Sequence, residues 1–316
     1  TVNIPDSVVE IADRAFIRSF VSSVNFSSAL TDIGDYGFAY CPLTEVDFPA
    51  SLKSIGDYAF SRSYIETLVL PENLEHLGSG AFENSQKLTS AELPGTLHET
   101  EGNPFSQCPE LAGITFSADN EVLEFDGTCL INNEDHALVC CLSAAAPDEV
   151  VVPDGVLKIS QNAFLENSTL TKVTLPEGLK EIGKYAFDTC KSLTEINLPD
   201  GLTEIGVGAF EHDESLTGIK IPDSLESLGS FAFNECKSIT EVNIPGAVKT
   251  IGRHTFNSCQ SLTTLTIGEG VEEIGESAFY RCSSITSIIL PETLTTIGES
   301  AFTSCYSLKD INLPAS

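Results

Sequence analysis

Apolar and polar residues alternate in short segments that recur along almost the whole chain. In residues 262–267, for example, Leu265 and Ile267 alternate with Thr264 and Thr266, which is the period-two pattern of a half-buried strand. Pro, or Gly in one copy, ends each segment; a second apolar group of the form Leu-x-x-Ile-Gly follows, and Ala-Phe closes the unit. The pattern predicts short strands joined by tight turns, with little α-helix.

One Phe, called the register Phe below, marks the same position in each copy. The register residues are spaced by 22 or 23 positions with one longer gap, and they are Phe16, Phe38, Phe60, Phe82, Phe105, Phe164, Phe187, Phe210, Phe233, Phe256, Phe279 and Phe302. A fixed period of this length around Leu-x-x-Ile-x-Leu is typical of leucine-rich repeats. We therefore predict a leucine-rich-repeat solenoid of the β-rich, α/β horseshoe class, with short parallel strands on the concave face and apolar packing between neighbouring copies.

The repeated apolar positions are interpreted as core. The Phe rings are expected to stack as an internal ladder, each contributing about 2 kcal/mol of transfer free energy. Gly stands four residues before the register Phe in nine of twelve copies. That position is expected either to need positive φ or to approach a neighbouring copy closely.

The chain is predicted to be a single domain, 1–316, with one interruption. Phe105 and Phe164 are 59 residues apart, where 23 would suffice. The predicted parts are a first repeat block, 1–116, a β-hairpin insertion, 117–149, and a second repeat block, 150–316.

Within the insertion the apolar runs predict strands at 122–125, 128–131 and 137–142, with Asp126-Gly127 as the first turn. Insertions in repeat proteins often gather on a binding face, so this one is a candidate site. The alternative is that it only joins two repeat blocks of slightly different period.

Seven of the ten cysteines occupy one position, three residues after the register Phe, called the turn slot below: Cys41, Cys108, Cys190, Cys236, Cys259, Cys282 and Cys305. Other copies carry Ser, Asn or Asp in the slot, and Cys41 has no Cys in either flanking copy. We therefore predict a ladder of small buried side chains with free thiols, although neighbouring copies on the order of 5 Å apart do not exclude disulfides. Cys140-Cys141 is interpreted as two strand residues rather than a redox centre.

Composition narrows the class of partner. The chain has 46 acidic and 16 basic side chains and a formal net charge of −30, which argues against nucleic acid or anionic membrane as a partner. No apolar run approaches the roughly 20 residues of a membrane span, so direct membrane insertion is not expected. Because the sequence opens inside one strand pattern and stops just after another, the chain is expected to come from a longer precursor or array.

No cofactor or metal is predicted. The five His residues, His76, His98, His136, His212 and His254, match no zinc motif, and four of them occupy variable positions that are expected to be exposed. Asp and Glu are expected at surface positions in every copy. The polar turn 132–136 could hold a divalent cation but is more simply a turn.

The motif Leu-Pro-x-x-Leu-x-x-Ile-Gly-x-x-Ala-Phe-x-x-Cys-x-Ser-Leu-Thr stands almost unchanged in residues 198–217 and 244–263. It resembles the BspA-like group of leucine-rich repeats, also called the TpLRR or LRR_5 type, and Asp126-Gly127-x-x-Leu130 resembles that family's own interrupting hairpin. The resemblance implies a secreted or cell-surface protein that acts in adhesion to host matrix proteins, in co-aggregation with other microbes or in invasion. It implies no particular ligand-site residues.

The surface predicted to bind a ligand is the outward side of the first strand of each copy. The candidate residues there are Glu45, Asp47, Thr67, Ser90, Glu92, Lys172, Thr174, Glu195, Asn197, Lys220, Glu241, Asn243, Thr264 and Thr266. Small polar side chains without Trp or Arg favour a broad or multivalent contact over a tight pocket.

Three functions are compatible with this sequence. We expect a non-enzymatic binding module that attaches to a protein or glycan on a host or microbial surface, outside the cell. The alternatives are a structural spacer that holds other domains away from the cell surface, and an enzyme with its site in residues 122–142.

Overall fold

A computed structural model of the chain describes residues 1–312. Within this range there are 27 strands and no α-helix, which confirms a strand-rich leucine-rich-repeat solenoid. Leu313 and Pro314, predicted to end the last strand pattern, lie outside the described residues. The chain divides into two compact units, Thr1–Ala146 and Pro147–Ser316.

Strands of the first unit are two to five residues long. They are β1 Val2–Asn3, β2 Glu10–Ile11, β3 Val24–Asn25, β4 Asp32–Ile33, β5 Ser54–Ile55, β6 Thr67–Val69, β7 His76–Leu77, β8 Ser90–Leu93, β9 Glu99–Thr100, β10 Gly113–Phe116, β11 Leu123–Phe125, β12 Cys129–Asn132 and β13 Ala137–Cys141. The parallel pairs are β1 with β3, the series β6-β8-β10, and the series β2-β4-β5-β7-β9. Most copies therefore contribute to two strand series, of which the sequence pattern predicted only the first.

The insertion is confirmed as an antiparallel excursion, β11-β12-β13, within one residue of the predicted strand bounds. Asp126 Oδ1 accepts hydrogen bonds from the N–H groups of Thr128 and Cys129 at 2.8 and 2.7 Å, and Gly127 has φ +98°. The first turn thus needs the side-chain acceptor and the conformational freedom of the Asp-Gly pair.

Strands of the second unit repeat the same arrangement. They are β14 Glu149–Val151, β15 Lys158–Ile159, β16 Lys172–Thr174, β17 Glu181–Ile182, β18 Glu195–Ile196, β19 Glu204–Ile205, β20 Ser227–Leu228, β21 Glu241–Ile244, β22 Thr250–Ile251, β23 Thr264–Ile267, β24 Glu273–Ile274, β25 Ser287–Ile289, β26 Thr296–Ile297 and β27 Asp310–Asn312. The first series pairs as β14-β16-β18, β21-β23 and β25-β27, and the second as β15-β17-β19-β20 and β22-β24-β26, all parallel.

The register Phe rings form the predicted ladder. The centroids of Phe187, Phe210 and Phe233 lie 5.2 Å apart from ring to ring, with interplanar angles of 1° and 2°, and all three side chains are fully buried. Each ring therefore packs against the same ring of the copies before and after it. A single copy has no such partners, so the core exists only in the stack.

The Gly that recurs four residues before the register Phe lies close to the backbone of the preceding copy and does not have positive φ. A Cβ on Gly206 would lie 2.7 Å from the backbone carbonyl carbon of Gly183 in the preceding copy, too near for any other residue. Positive φ occurs instead two residues before and two residues after the register Phe, mostly at non-glycine residues such as Tyr185 and Thr189. Of the two reasons expected for glycine, close approach is confirmed.

Those left-handed residues follow from the backbone hydrogen bonds of the turn. Tyr185, Phe187 and Thr189 donate their N–H groups to carbonyls of the next copy, over 2.9, 2.8 and 2.7 Å. Every second N–H must point along the stacking direction for this ladder to form. Positive φ at Tyr185 and Thr189 accompanies this arrangement, in which the backbone groups of the turn are paired between copies.

The turn-slot cysteines are free and buried, as predicted. Each thiol donates to the carbonyl oxygen of the register Phe in the preceding copy, for example Cys236 Sγ to Phe210 O at 3.0 Å and Cys259 Sγ to Phe233 O at 3.3 Å. Burial raises the pKa of the Cys108 thiol to about 12. The slot therefore selects a small donor and keeps it unreactive.

The prediction for Cys140-Cys141 was incomplete. Both residues lie in β13, but Cys141 forms a disulfide with Cys129 of β12, its partner in the antiparallel register. Cys140 is free and buried.

Candidate binding surface

The strand face, defined as the outward residues of the first strand series with their flanking residues, is formed as predicted for most of its length. Glu195, Glu241, Asn243, Thr264 and Thr266 are exposed. The exposed candidates also include Glu45, Asp47, Thr67, Ser90, Thr174, Asn197 and Lys220, whereas Glu92 and Lys172 are half-buried. The residues between them, such as Val173, Ile196 and Val242, point into the core. Alternation along each strand therefore separates core from surface.

Two copies do not form the predicted strand. Residues 43–48, which carry Glu45 and Asp47, and residues 216–221, which carry Lys220, contain no regular strand. In the second copy only an isolated bridge joins Gly218 to Glu195. Gly in a strand weakens pairing because it has no side chain to pack against its neighbours, and Pro42 precedes the first of these segments without an N–H to donate.

Among the shallow depressions on the strand face of the second unit, two lie where the strand pairing is interrupted. One, of about 480 Å³, lies between β18 and β21 over Gly218, and its lining is Ile196, Gly218, Ile219, Lys220, Thr240 and Glu241. The other, of about 390 Å³, lies between β23 and β25, and its lining is Thr263, Thr264, Leu265, Thr266, Ile267, Thr286, Ser287 and Ile289. In both places the strands on either side are not hydrogen-bonded to each other. The depressions therefore form where strand pairing is absent.

The charges beside the first depression are partly paired. Lys172 Nζ lies 2.7 Å from Glu195 Oε1, and this hydrogen bond raises the pKa of Lys172. Lys220 Nζ lies 3.9 Å from Asp200 Oδ1, with both side chains almost fully exposed. Exposed pairs of this kind are worth little to stability, so both cations can exchange their partner for a ligand group.

Threonines along one edge of the strand face form a hydroxyl ladder. Thr194 Oγ1 donates to Thr171 O at 3.1 Å, and Thr263 Oγ1 donates to Thr240 O at 3.1 Å. Their protons are engaged with the preceding copy while the oxygen lone pairs face solvent. This edge therefore presents hydrogen-bond acceptors to a ligand.

The polar turn of the insertion is a structural turn. Asn132 Oδ1 accepts from the N–H groups of Glu134 and Asp135, each at 3.0 Å, and Asn132 Nδ2 donates to His98 O at 3.2 Å. The Asn132 side-chain oxygen, which could have been a cation ligand, is instead hydrogen-bonded to two backbone N–H groups of the turn.

The expectation that acidic residues lie on the surface in every copy was wrong in the turns around Phe187 and Phe210. Asp213 occupies the turn slot and is fully buried; its Oδ1 accepts from the Cys190 N–H at 2.8 Å, and its Oδ2 has no hydrogen-bond partner among residues 1–312. Burial raises the pKa of Asp213 well above its ordinary value.

A group of three polar side chains beside this slot was also missed. Asp188, Glu211 and His212 are half-buried, and each offers a ligand atom within 4.8 Å of the other two. His76, His98 and His254 are half-buried as well, so these four histidines are less exposed than expected. Aligning the copies would have predicted that Asp188 and Glu211 are neighbours, because each stands one residue after a register Phe in adjacent copies.

A model of the BspA-type leucine-rich repeat region matches the chain in six copies, over residues 1–133, 141–248 and 203–316. No curated protein matches the chain. No helix in the described part of the chain has the length and apolar character needed to cross a membrane.

Solved structures of bacterial leucine-rich repeat proteins are similar in fold. One from Eubacterium ventriosum has 22% identity and a TM-score of 0.86, with 99% of this chain and 84% of that chain covered. One from Bacteroides ovatus has 27% identity and a TM-score of 0.56, with coverage of 100% and 73%. A leucine-rich cell surface protein from Faecalibacterium prausnitzii has 23% identity and a TM-score of 0.57, with coverage of 100% and 79%.

Proposed function

The chain belongs to the BspA-type leucine-rich repeat family, and on that premise we propose that it is a non-enzymatic binding module that attaches to a protein or glycan on a host or microbial surface. The observation that carries this proposal is the strand face of the second unit. It exposes unpaired or weakly paired polar groups around two depressions. Leucine-rich repeat folds are generally non-catalytic binding modules, which supports the same conclusion.

We assign the module to the outside of the cell. One similar structure is described as a cell surface protein. The disulfide between Cys129 and Cys141 is a second support, since disulfides persist mainly in oxidising compartments. The charge of −30 keeps such a surface soluble and disfavours anionic partners.

A binding experiment with charge reversal tests the proposal. The purified chain is presented to arrays of extracellular-matrix proteins and of host and microbial glycans. For any partner found, the double substitution Glu195→Lys and Glu241→Lys is expected to weaken binding at least tenfold, because both carboxylates flank the first depression. The same reversal at Glu226 and Glu299, which are exposed elsewhere, is the matched control and is expected to leave affinity unchanged.

Two outcomes contradict the proposal. If no partner on either array binds, the spacer function replaces it. If a partner binds and both double variants lose the same affinity, recognition depends on overall charge and not on the strand face.

A further inference from the structure

Asp188, Glu211 and His212, called the turn cluster below, lie on two neighbouring turns on either side of one stacking contact. Asp188 follows Phe187 directly, and Glu211 and His212 follow Phe210. One ligand atom from each lies within 4.8 Å of the other two. The Asp188 and His212 side chains keep exposed fractions of 19% and 39%, so an ion can enter from solvent.

The spacing of these atoms matches a coordination polyhedron. His212 Nδ1 lies 3.4 Å from Asp188 Oδ1. Two ligands bound to zinc at 2.0–2.2 Å in tetrahedral geometry lie about 3.4 Å apart. These two side chains are therefore already at the separation that a shared metal would impose, and Glu211 is within reach as a third ligand.

Groups outside the cluster hold the carboxylates in place. Thr189 Oγ1 donates to Asp188 Oδ1 at 2.8 Å. Asn257 Nδ2 donates to Asn234 Oδ1, and Asn234 Nδ2 donates to Glu211 Oε1, each at 2.7 Å. Hydrogen-bonded supports of this kind orient the ligands of metal sites and raise their affinity.

Negative charge accumulates here without a compensating cation. Acids elsewhere are bridged between copies by lysine, as in Lys158 with Glu181 and Lys172 with Glu195. Within residues 1–312 no lysine or arginine forms an ion pair with Asp188 or Glu211, and the partner of Asp188 is the His212 imidazole.

The residue that follows the cluster in sequence is also a carboxylic acid, and it occupies the turn slot. Asp213, the residue after His212, contributes a third carboxyl group that is fully buried and leaves Oδ2 without a hydrogen-bond partner. The two half-buried carboxyl groups of Asp188 and Glu211 therefore share one imidazole, and a bound cation would offset the repulsion between them.

We propose that the turn cluster binds a divalent transition-metal ion. Asp188, Glu211 and the Nδ1 atom of His212 are its three protein ligands. The mixed carboxylate and imidazole donor set suits Zn²⁺ better than Ca²⁺ or Mg²⁺, which prefer oxygen ligands alone. Three ligands leave a fourth position for water or for a side chain of a partner. This site is formed by the turns and does not depend on the function proposed for the strand face.

Calorimetric titration of the full chain tests this proposal. The protein is treated with EDTA, dialysed and titrated with ZnCl₂ and separately with CaCl₂. One zinc site is expected, with calcium much weaker, and Co²⁺ is expected to give the absorption bands of a four-coordinate complex. His212→Ala and the near-isosteric Asp188→Asn should each abolish zinc binding, and Asn234→Leu should weaken it about tenfold by removing the support of Glu211.

Two histidine variants serve as controls. His136→Ala changes an exposed turn histidine that also has positive φ, 52° against 61° at His212, and should leave zinc binding intact. His76→Ala tests a competing location, because His76 and His98 both approach Glu99, at 3.4 and 4.0 Å. Thermal unfolding in EDTA checks that every variant folds. The proposal is overturned if zinc does not bind at millimolar concentration, or if binding survives in His212→Ala. Loss of binding in His76→Ala together with survival in His212→Ala would place the site beside Glu99.

Discussion

Replacing Phe210 by Ala tests whether the stacked rings hold the solenoid together. Phe210 is fully buried and stacks on Phe187 and Phe233, with 5.2 Å between ring centroids on each side. Removing a buried Phe side chain costs about 3–5 kcal/mol of unfolding free energy, as lost transfer energy plus a cavity. We expect the upper half of that range, because the cavity opens between two copies and neither can move inward without breaking its own turn hydrogen bonds.

Two further variants calibrate the result. Phe302 is half-buried and stacks on Phe279 at 5.4 Å, so Phe302→Ala should cost about half as much as the central substitution. Phe20 has an exposed fraction of 98%, and Phe20→Ala should change stability by less than about 0.5 kcal/mol.

Urea and thermal unfolding followed by circular dichroism measure these differences. For a unit the length of Pro147–Ser316, a loss of about 3–5 kcal/mol lowers Tm by on the order of 10 °C. The reasoning is refuted if Phe210→Ala is no more destabilising than Phe20→Ala, since the rings would then pack without carrying the stability of the stack.

Two other predictions concern one buried and one half-buried acid. Asp213→Ser should raise the unfolding free energy by about 1–3 kcal/mol in EDTA, because it removes a buried oxygen that lacks a hydrogen-bond partner among residues 1–312. Serine already fills the same slot at Ser63 and Ser85. Equal or lower stability of the variant in urea unfolding would contradict this prediction. Burial and the charge of Asp35 raise the pKa of Asp57 above its ordinary 3.8, so the native state holds this proton to higher pH than the unfolded state does. The contribution of Asp57 to stability therefore falls as pH rises from 3.8 through the raised pKa, and Asp57→Asn should flatten that part of the curve of Tm against pH; an unchanged slope in the variant would show that Asp57 does not contribute.

The structure bears out most of what the repeat predicted about the fold. The Phe ladder, the buried turn slot and the three insertion strands were each readable from sequence, because hydrophobic period and turn residues are local properties. The missing strand at Gly218 and the second strand series could not be predicted from the sequence. Both depend on backbone pairing between copies, which side-chain pattern within one copy does not report.

The candidate sites show the same division. Outward exposure of the strand-face residues followed from alternation, whereas the depression over Gly218 required the pairing gap to be seen. Asp188 and Glu211 are 23 residues apart, and only the stacking of one turn on the next makes them neighbours of His212. The disulfide between Cys129 and Cys141 likewise follows from the antiparallel register of the insertion.

What the sequence by itself determined is the architecture of one copy and the fact of its repetition. A period of 22 or 23 residues with alternating apolar positions leaves each copy with apolar sides that only another copy can cover. Tertiary structure decided how the turns superpose, and therefore which side chains meet across copies. The physical reason is that the turn N–H groups of one copy are bonded to carbonyl oxygens of the next, with left-handed residues on both sides of nearly every register Phe, and this pairing sets the contacts between neighbouring copies.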